Sequence, residues 1–271
     1  MPELPEVETT LRGIEPWLDQ QVIDSVNVRN ASLRWPIPPE VNDLTGLSIK
    51  RLWRRAKYLL LELSDQSHLI MHLGMSGMMR VVRPDEVYQK HDHFELVMEN
   101  GYALRLNDPR RFGCVLWTDE PIESHQLLAS LGPEPLSAGF DGQWLKQAAG
   151  KRTVAVKNLI MNNHVVVGVG NIYASEALFL AGIRPDRQAG RIALQRYQKL
   201  ATTIKQVLEL AIQAGGTTLR DFRRTDGQPG YFKQQLNVYG RADQSCLQCG
   251  KTIINITLGQ RASYYCPGCQ T

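Results

Sequence analysis

Two cysteine pairs near the end of the chain constrain its fold more strongly than any other feature. Cys246 and Cys249 form one Cys-x2-Cys pair, Cys266 and Cys269 form a second, and 16 residues separate the pairs. This spacing suits one tetrahedral Zn²⁺ held by four thiolates at about 2.3 Å. Because all four ligands are protein atoms, the ion would be structural and would fold this segment. Two disulfides or a chance spacing are the alternatives, and both a reducing compartment and the paired spacing disfavour them.

Length and composition indicate a folded protein with more than one domain. The 271 residues suffice for two domains and a small module, and the apolar content of 43% is typical of a globular chain. The net charge of +4 is mildly basic and compatible with a nucleic-acid partner. No run of 18 apolar residues and no signal-peptide pattern occurs. We therefore expect a cytoplasmic protein in which the five cysteines stay reduced or bind metal.

The first half of the chain carries one helix and then β signals. Residues 2–19 repeat apolar side chains at helical spacing, at Val7, Leu11, Ile14 and Leu18. Runs rich in β-branched and apolar residues follow at 22–28, 48–63, 68–73, 94–98, 102–106 and 112–118. The pattern predicts a β-sandwich preceded by one helix.

The second half of the chain is helical up to the cysteine module. Asn171 is expected to cap a helix over residues 172–181, and a second helix keeps a 3.6-residue period from Leu194 to Ala211. A loop rich in Gly, Thr and Arg follows. We predict three domains, which comprise residues 1–131 (β-sandwich), 132–235 (helical) and 236–271 (four-cysteine module).

Pro2 is a candidate nucleophile. Removal of Met1, expected before a small residue, would leave a secondary amine that can attack a sugar aldehyde carbon and form an iminium. Glu3 follows directly and could move protons. The alternative is an ordinary helix start, where proline costs nothing and glutamate complements the helix dipole.

Three further segments carry side chains suited to DNA. Alternation predicts that Arg55 and Lys57 share one strand face, as a phosphate site or as a solvated surface. Met75, between glycines, is either a core residue or an apolar wedge for a base stack. Arg110 and Phe112 suit phosphate contact and stacking, although a plain charged turn fits equally well.

Two weaker motifs remain. His91 and His93 alternate on one face, but spacing places no third metal ligand, so contact with phosphate is favoured over metal binding. Gly168 and Gly170 precede a predicted helix start that could bind a phosphate through backbone N–H groups. Because no Gly-Lys-Ser/Thr follows, nucleotide hydrolysis has little support.

Together these motifs resemble the bacterial formamidopyrimidine-DNA glycosylase family over essentially the whole chain. The matching segments are Pro2-Glu-Leu-Pro-Glu-Val-Glu-Thr9, Arg55-Ala-Lys-Tyr58, His72-Leu-Gly-Met-Ser-Gly77, Lys90-His-Asp-His93, Asp108-Pro-Arg-Arg-Phe-Gly113, Gly168-Val-Gly-Asn-Ile-Tyr173 and the four cysteines. The resemblance implies an α+β multidomain fold with an N-terminal β-sandwich, a helix–two-turn–helix domain and a zinc-ribbon hairpin. It also implies a bifunctional DNA glycosylase/AP lyase of base excision repair. Such an enzyme removes oxidised purines (8-oxoguanine, formamidopyrimidines) from duplex DNA and then nicks the strand by β,δ-elimination.

The resemblance also assigns roles to residues. Pro2 would attack C1′ of the damaged nucleotide, Glu3 would be the general acid/base, Lys57 would assist β-elimination and Arg261 would assist δ-elimination. The side chains that enter the gap left by the flipped nucleotide would be Met75, Arg110 and Phe112. The contacts to DNA would come from His91, Arg110, Arg152, Lys157 and Asn171. The loop over the lesion would contain Gly216, Thr217, Thr218 and Arg220.

Some residues depart from the family pattern, and two alternatives stay open. The departures, which leave DNA contacts and lesion range open, are Asn158, Asn162, His164 and Arg220. One alternative is a sister glycosylase for oxidised pyrimidines, although Leu4 and the Met75 turn favour purines. The other is a non-catalytic zinc-ribbon DNA-binding protein. We expect a monomer that associates with the bacterial nucleoid through DNA and has no membrane partner.

Overall fold

The computed structural model describes residues 2–215 and 236–271 of the chain. These residues form two compact units. The first contains the residues up to Ala129, and the second contains Ser130–Gln213 together with residues 236–271. The cysteine module therefore belongs to the same unit as the helices. The boundaries predicted after residues 131 and 235 stay a prediction.

Helix α1 (Leu4–Leu18) opens the first unit, and two carboxylates organise its start. Glu3 is the N-cap, and the Glu6 carboxylate accepts a hydrogen bond from the Glu3 N–H at 2.8 Å, as part of a reciprocal capping box. The apolar side chains that α1 buries in the core are Val7, Leu11, Ile14 and Leu18. The helix predicted for residues 2–19 is therefore confirmed, with slightly shorter bounds.

The described strands of the first unit form two antiparallel sheets. They are β1 (Ile23–Val28), β2 (Ile49–Arg55), β3 (Tyr58–Leu63), β4 (His68–His72), β5 (Met78–Val82), β6 (Asp92–Met98), β7 (Ala103–Asn107) and β8 (Cys114–Thr118). One sheet has the order β1-β6-β7-β5 and the other has the order β2-β3-β4-β8. Apolar side chains from both sheets and from α1 share one buried cluster. This arrangement confirms the predicted β-sandwich with one helix.

Four details of the strand prediction are wrong. The segment predicted as one long strand forms β2 and β3, which are joined by a turn at Ala56 and Lys57. Ala56 has a φ of 54°, a conformation usually taken by glycine or asparagine, so composition does not reveal this turn. The expectation that Arg55 and Lys57 share a strand face therefore fails. In addition, β5 was missed, and β8 begins at Cys114 rather than at Phe112.

Four α-helices appear in the described part of the second unit. They are α2 (Gly142–Ala149), α3 (Val156–Ile160), α4 (Asn171–Ala181) and α5 (Leu194–Gln213). The buried stripe of α5 confirms the predicted 3.6-residue period. The cap prediction for α4 is wrong, because Gly170 is the N-cap and Asn171 is the first helical residue.

Short 3₁₀ helices lie at Pro39–Asp43 and Ile122–Ser124 in the first unit and at Ala189–Arg191 in the second.

The segment between the cysteine pairs forms the expected hairpin. Strands β9 (Ile254–Leu258) and β10 (Arg261–Tyr265) pair in antiparallel fashion. Gly259 and Gln260 connect them with φ values of 53° and 61°, as a tight two-residue hairpin turn requires. A small buried cluster under the hairpin contains Phe179, Val238, Cys246, Ile253 and Cys266. None of the described helices is long and apolar enough to cross a membrane.

Ile14→Ala tests how strongly α1 is anchored to the sandwich. The Ile14 side chain is fully buried in the core, so its truncation should lower the free energy of unfolding by about 2–5 kcal/mol. Arg12→Ala is the matched control, because its side chain is 61% exposed, and it should cost below about 0.5 kcal/mol. Urea unfolding followed by circular dichroism measures both values. Equal losses for the two variants would contradict a buried role for this helix face.

Candidate active site and nucleic-acid interface

The start of the chain places a carboxylate in a buried position directly after Pro2. Pro2 is buried and precedes α1, while Met1 lies outside the described residues. Glu3 is 2% exposed and takes part in the capping box with Glu6. A buried carboxylate is costly unless hydrogen bonds satisfy it. The box therefore satisfies the buried Glu3 carboxylate and holds it at a defined position directly after Pro2.

Arg54 ties α1 to the turn that carries Lys57. Its Nε donates to Glu8 Oε2 at 2.9 Å, and its Nη1 donates to the carbonyl of Ala56 at 2.8 Å. Lys57 itself is buried at the edge of this turn. Lys57 is thus held at a fixed place relative to the helix that begins after Glu3. Sequence analysis missed this role of Arg54, because the link depends on the unpredicted turn.

His72, at the end of β4, is neutral near pH 7. Burial, followed by the positive charges of Lys57 and Arg34, lowers the pKa of His72 from 6.5 to about 4. The Gly74 N–H donates to His72 Nδ1 at 2.8 Å, so the proton of the neutral ring lies on Nε2. The ring packs 4.9 Å from that of Tyr58. A neutral imidazole with one N–H donor therefore stands beside the Lys57 turn.

The structure brings the three predicted gap-filling side chains to adjoining loops of the first unit. Met75 is 39% exposed and Phe112 is 44% exposed, although both are large and apolar. The Arg110 guanidinium lies 4.9 Å from the centroid of the Phe112 ring. A cavity of about 680 Å³ adjoins all three and is also lined by Arg34 and His72. Three arginines (Arg34, Arg110 and Arg111), an apolar rim and an open cavity can accept a phosphate and a nucleobase.

The loops of Met75 and Phe112 approach each other backbone to backbone. Gly74 has a φ of +63°, and a Cβ there would lie 2.4 Å from the Gly113 nitrogen and from the Phe112 carbonyl carbon. A Cβ on Gly113 would lie 2.7 Å from the His72 oxygen. Glycine is required at both positions because any side chain would separate the two loops.

The segment 90–93 does not assemble a metal site with a third ligand. His91 is partly exposed in a turn before β6. His93 is buried, and its Nε2 lies 2.9 Å from the Asp108 carbonyl oxygen, which can only accept a hydrogen bond. Within the described ranges, the cysteine cluster alone groups three or more potential metal ligands. His91 is therefore the member of this pair that is available to an external ligand.

In the second unit, Lys157 and Asn171 bind the hairpin. The ammonium of Lys157 donates to the Ala262 carbonyl at 3.0 Å and to Ser263 Oγ at 2.8 Å, and the side chain is buried. The Asn171 amide donates to the same Ala262 carbonyl at 3.1 Å. Both residues were predicted as DNA contacts, but the contacts they make here are within the protein. They fix strand β10, which begins at the exposed Arg261.

The remaining predicted site residues are Arg152, which lies on the surface of the second unit, and the residues of the predicted lesion loop. Arg152 is exposed between α2 and α3. It lines a second cavity of about 420 Å³ that is also lined by Asn158 and Asn162. The predicted lesion-loop residues Gly216, Thr217, Thr218 and Arg220 lie outside the described residues.

The four cysteines fit a tetrahedral zinc ion. Their Sγ atoms all lie within 4.8 Å of one another, with 3.8 Å between Cys246 and Cys269 and 3.3 Å between Cys249 and Cys266. Thiolates at about 2.3 Å from a tetrahedral Zn²⁺ stand about 3.8 Å apart. The Gln248 N–H also points to the Cys246 sulfur at 3.4 Å, as in a thiolate knuckle. A zinc ion bound here would leave no open coordination position for catalysis.

Comparisons with known proteins agree with this geometry. The model of the "Formamidopyrimidine-DNA glycosylase N-terminal domain" matches residues 1–115, and that of the "Formamidopyrimidine-DNA glycosylase H2TH domain" matches residues 131–223. The formamidopyrimidine-DNA glycosylase of Alcanivorax borkumensis is 58% identical over 272 residues, with both chains covered completely.

Solved structures of DNA complexes have the same fold. An FPG mutant of Lactococcus lactis with a Fapy-dG containing DNA is 32% identical, with a TM-score of 0.92 and 100% of both chains covered. Lactococcus lactis Fpg with an abasic site containing DNA is 31% identical, with a TM-score of 0.91 and 99% of each chain covered. MutM with a carbocyclic 8-oxo-G containing DNA is 32% identical, with a TM-score of 0.91 and 100% of both chains covered.

The fold and the site together define a DNA glycosylase. A β-sandwich unit with Pro2 next to the buried Glu3 also carries exposed apolar side chains beside arginines, and a helical unit holds a four-cysteine hairpin. With both family models and full-length identity of 58% to a curated relative, the chain belongs to the formamidopyrimidine-DNA glycosylase family. The resemblance inferred from the motifs is thereby confirmed.

Metal analysis of cysteine variants tests the zinc site. The purified protein should contain about one zinc ion per chain, and Cys246→Ser should lose most of it because a three-thiolate site binds zinc more weakly. Cys114→Ser is the matched control, since Cys114 is a buried cysteine of the first unit outside the cluster. Mass spectrometry of the metal content measures both. Equal zinc in the two variants would contradict the site.

The titration of His72 tests the electrostatics around Lys57. Its pKa is about 4 in the folded chain against about 6.5 in an unfolded one, so the unfolded chain binds the proton first. The stability linked to the neutral ring is therefore complete above about pH 6.5 and is lost as the pH falls towards 4, by on the order of 3 kcal/mol at most. His72→Asn should remove this part of the pH dependence of urea unfolding.

Nuclear magnetic resonance of the His72 ring measures its pKa directly. Lys57→Met should raise that pKa, because it removes a positive charge that disfavours the imidazolium. Arg12→Ala, which removes an exposed charge on α1, should leave the midpoint unchanged. A wild-type midpoint near 6.5 would show that the ring is not in this environment.

Proposed function

We propose that the chain is a bifunctional glycosylase/AP lyase that excises oxidised purines from duplex DNA. Its substrates would be 8-oxoguanine, formamidopyrimidines and abasic sites in double-stranded DNA, and it would act as a monomer at the bacterial nucleoid. The observation that carries the proposal is the buried Glu3 placed directly after Pro2 at a capped helix start. The likeness to the glycosylases named above supports the choice of substrate.

In the first half of the reaction, the Pro2 nitrogen would attack C1′ of the damaged nucleotide. The C1′–N bond to the oxidised base breaks, and the base leaves with the proton that the Pro2 amine loses. Glu3 would protonate the ring oxygen of the sugar, so that the ring opens and C1′ becomes an iminium carbon on Pro2. An α-amino group titrates near ~8, far below lysine at ~10.4, so a useful fraction is unprotonated at neutral pH.

In the second half, the iminium would act as an electron sink. It acidifies the C2′ hydrogen, whose removal expels the 3′ phosphate by β-elimination. Lys57, buried in the β2–β3 turn, would assist this step by proton transfer or phosphate binding. Arg261 of the hairpin would bind the 5′ phosphate and assist its expulsion by δ-elimination. Hydrolysis of the iminium then returns the free Pro2 amine.

Access to C1′ requires the nucleotide to leave the stack. Extrusion costs a few kcal/mol, and inserted side chains offset part of that cost. We assign this insertion to Met75, Arg110 and Phe112. His91 and Arg152 would contact the DNA backbone, as partly or fully exposed side chains can. The loop with Gly216, Thr217, Thr218 and Arg220 would cover the lesion.

Lys157, Asn171 and the zinc site would act through the hairpin. The cysteines that would hold the ion are Cys246, Cys249, Cys266 and Cys269. When bound, zinc supplies folding free energy to the hairpin and no chemistry. The Lys157 and Asn171 bonds to Ala262 then orient β10, so these two residues would affect DNA binding mainly by placing Arg261.

Borohydride trapping tests the proposed mechanism. Reduction during reaction with an 8-oxoguanine:cytosine duplex should give a covalent complex through Pro2, and Pro2→Gly should bind the duplex normally but trap at least about 10-fold less. Pro16→Ala, at an exposed position of α1, should trap like the wild type. Gel electrophoresis and peptide mapping measure the product. Active wild-type protein that cuts this DNA without a trapped species would refute the iminium.

The same assay separates the alternatives. A thymine glycol duplex should be trapped more weakly than the 8-oxoguanine duplex if oxidised purines are the substrate. The reverse order would assign the chain to oxidised pyrimidines. Binding without trapping on either duplex would indicate a DNA-binding protein without catalysis.

A further inference from the structure

Asp108 lies where two gap-filling loops of the first unit meet. Its side chain is 0% exposed. Oδ1 accepts a hydrogen bond from Ser76 Oγ at 2.9 Å and a longer one from the Arg110 N–H at 3.3 Å. Oδ2 accepts from the Gly113 N–H at 2.7 Å. One carboxylate thus joins the turn that carries Met75 to both ends of the segment 110–113.

The backbone of Asp108 joins a third loop to this junction. Its N–H donates to the His91 carbonyl at 3.0 Å, and its own carbonyl oxygen lies 2.9 Å from His93 Nε2. The turn that presents His91 is therefore connected to the same residue. Three loops with candidate DNA contacts share Asp108 as their common partner.

The hydrogen bonds of this junction indicate that the Asp108 carboxylate positions loops and does not neutralise a nearby positive charge. The three donors to the carboxylate are a hydroxyl and two backbone N–H groups, and no ion pair includes Asp108 in the part of the chain that the structure describes. Buried carboxylates without a cation are costly, so their lone pairs must be used by well-placed donors. Each donor here belongs to a loop whose position matters for the proposed insertion.

The positions of the exposed Met75 and Phe112 side chains, at the tips of their loops, depend on this buried junction. Met75 and Phe112 are 39% and 44% exposed, so packing around them is incomplete. Their loops touch through the backbones at Gly74 and Gly113, where any side chain would force them apart. Hydrogen bonds to Asp108 are therefore the main directional interactions that set the spacing of the two tips.

We infer that Asp108 is the positioning residue that holds Met75, Arg110 and Phe112 in the arrangement needed to fill the gap in the DNA stack. This inference rests on the proposed function and adds to it a residue that touches neither the lesion nor the reacting atoms. Its effect should depend on how hard the nucleotide is to extrude. A paired lesion needs the insertion, whereas an unpaired lesion leaves the stack more easily.

The test compares one lesion in two duplexes. The first contains 8-oxoguanine opposite cytosine, and the second contains 8-oxoguanine opposite a stable abasic analogue. Asp108→Asn turns one accepting oxygen into an NH2 donor facing another donor. It should lower kcat/KM on the paired duplex by about 10-fold or more, and on the unpaired duplex by less than about 3-fold. Ser76→Ala, which removes one bond, should shift the ratio in the same direction by less.

The β3–β4 turn supplies a matched control at the opposite end of β4. Asp65 Oδ1 accepts from Ser67 Oγ at 2.7 Å and from the Ser67 N–H at 3.0 Å, which is again an Asp–Ser pair in a turn. Asp65→Asn and Ser67→Ala should leave the ratio between the two duplexes unchanged. Thermal unfolding of every variant reports any general loss of stability.

The outcomes separate this inference from the proposed function. Equal losses on both duplexes in Asp108→Asn and Ser76→Ala would overturn the positioning role, even with an active wild type. If Asp108→Asn does not fold, the ratio for Ser76→Ala decides alone. Wild-type protein that excises nothing from either duplex would refute the proposed function, and the positioning role would fall with it.

Discussion

The reciprocal cap between Glu3 and Glu6 fixes the start of α1, and the position of the residues that we propose for catalysis depends on it. Chain termini are usually poorly ordered unless something holds them. Here the cap starts α1, and the core packing of α1 then anchors the chain end to the sandwich. Arg54 connects α1 to the turn that carries Lys57, because it donates hydrogen bonds to Glu8 and to the Ala56 carbonyl. The proposed roles of Pro2, Glu3 and Lys57 require such fixed positions.

The loops that we propose to contact DNA reverse the usual distribution of polar and apolar groups. Asp108 is buried, whereas Met75 and Phe112 are exposed. Large exposed apolar side chains on a monomer mark a binding surface, because burying them would otherwise stabilise the fold. The buried Asp108 carboxylate accepts hydrogen bonds from the Gly113 N–H and from Ser76 Oγ, and these bonds connect the two loops. The surface can therefore be apolar at its tips and still keep a defined shape.

In the second unit, a metal-binding module and two buried polar side chains hold the β9–β10 hairpin in position. Four thiolates can hold one ion at the base of the hairpin, and the buried Lys157 and Asn171 bind its second strand at Ala262. A buried ammonium needs acceptors, and the hairpin provides a carbonyl and the Ser263 hydroxyl. From sequence alone such a lysine is read as a DNA contact, because nothing in the local pattern reveals a partner 106 residues away.

The sequence by itself determined most of the helices and strands, the zinc-binding cysteines and the family. Periodicity predicted α1 and α5, runs of β-branched and apolar residues predicted most strands, cysteine spacing predicted the zinc site, and motif order identified the family. The tertiary structure alone decided what depends on contacts between distant segments. Examples are the left-handed turn at Ala56 that carries Lys57 and the hydrogen bond from Lys157 to Ser263. Another is the hydrogen bond from the Gly113 N–H to the Asp108 carboxylate. The physical reason is that periodicity and spacing report which face of an element is buried, whereas hydrogen-bond partners between loops are set by how those elements pack.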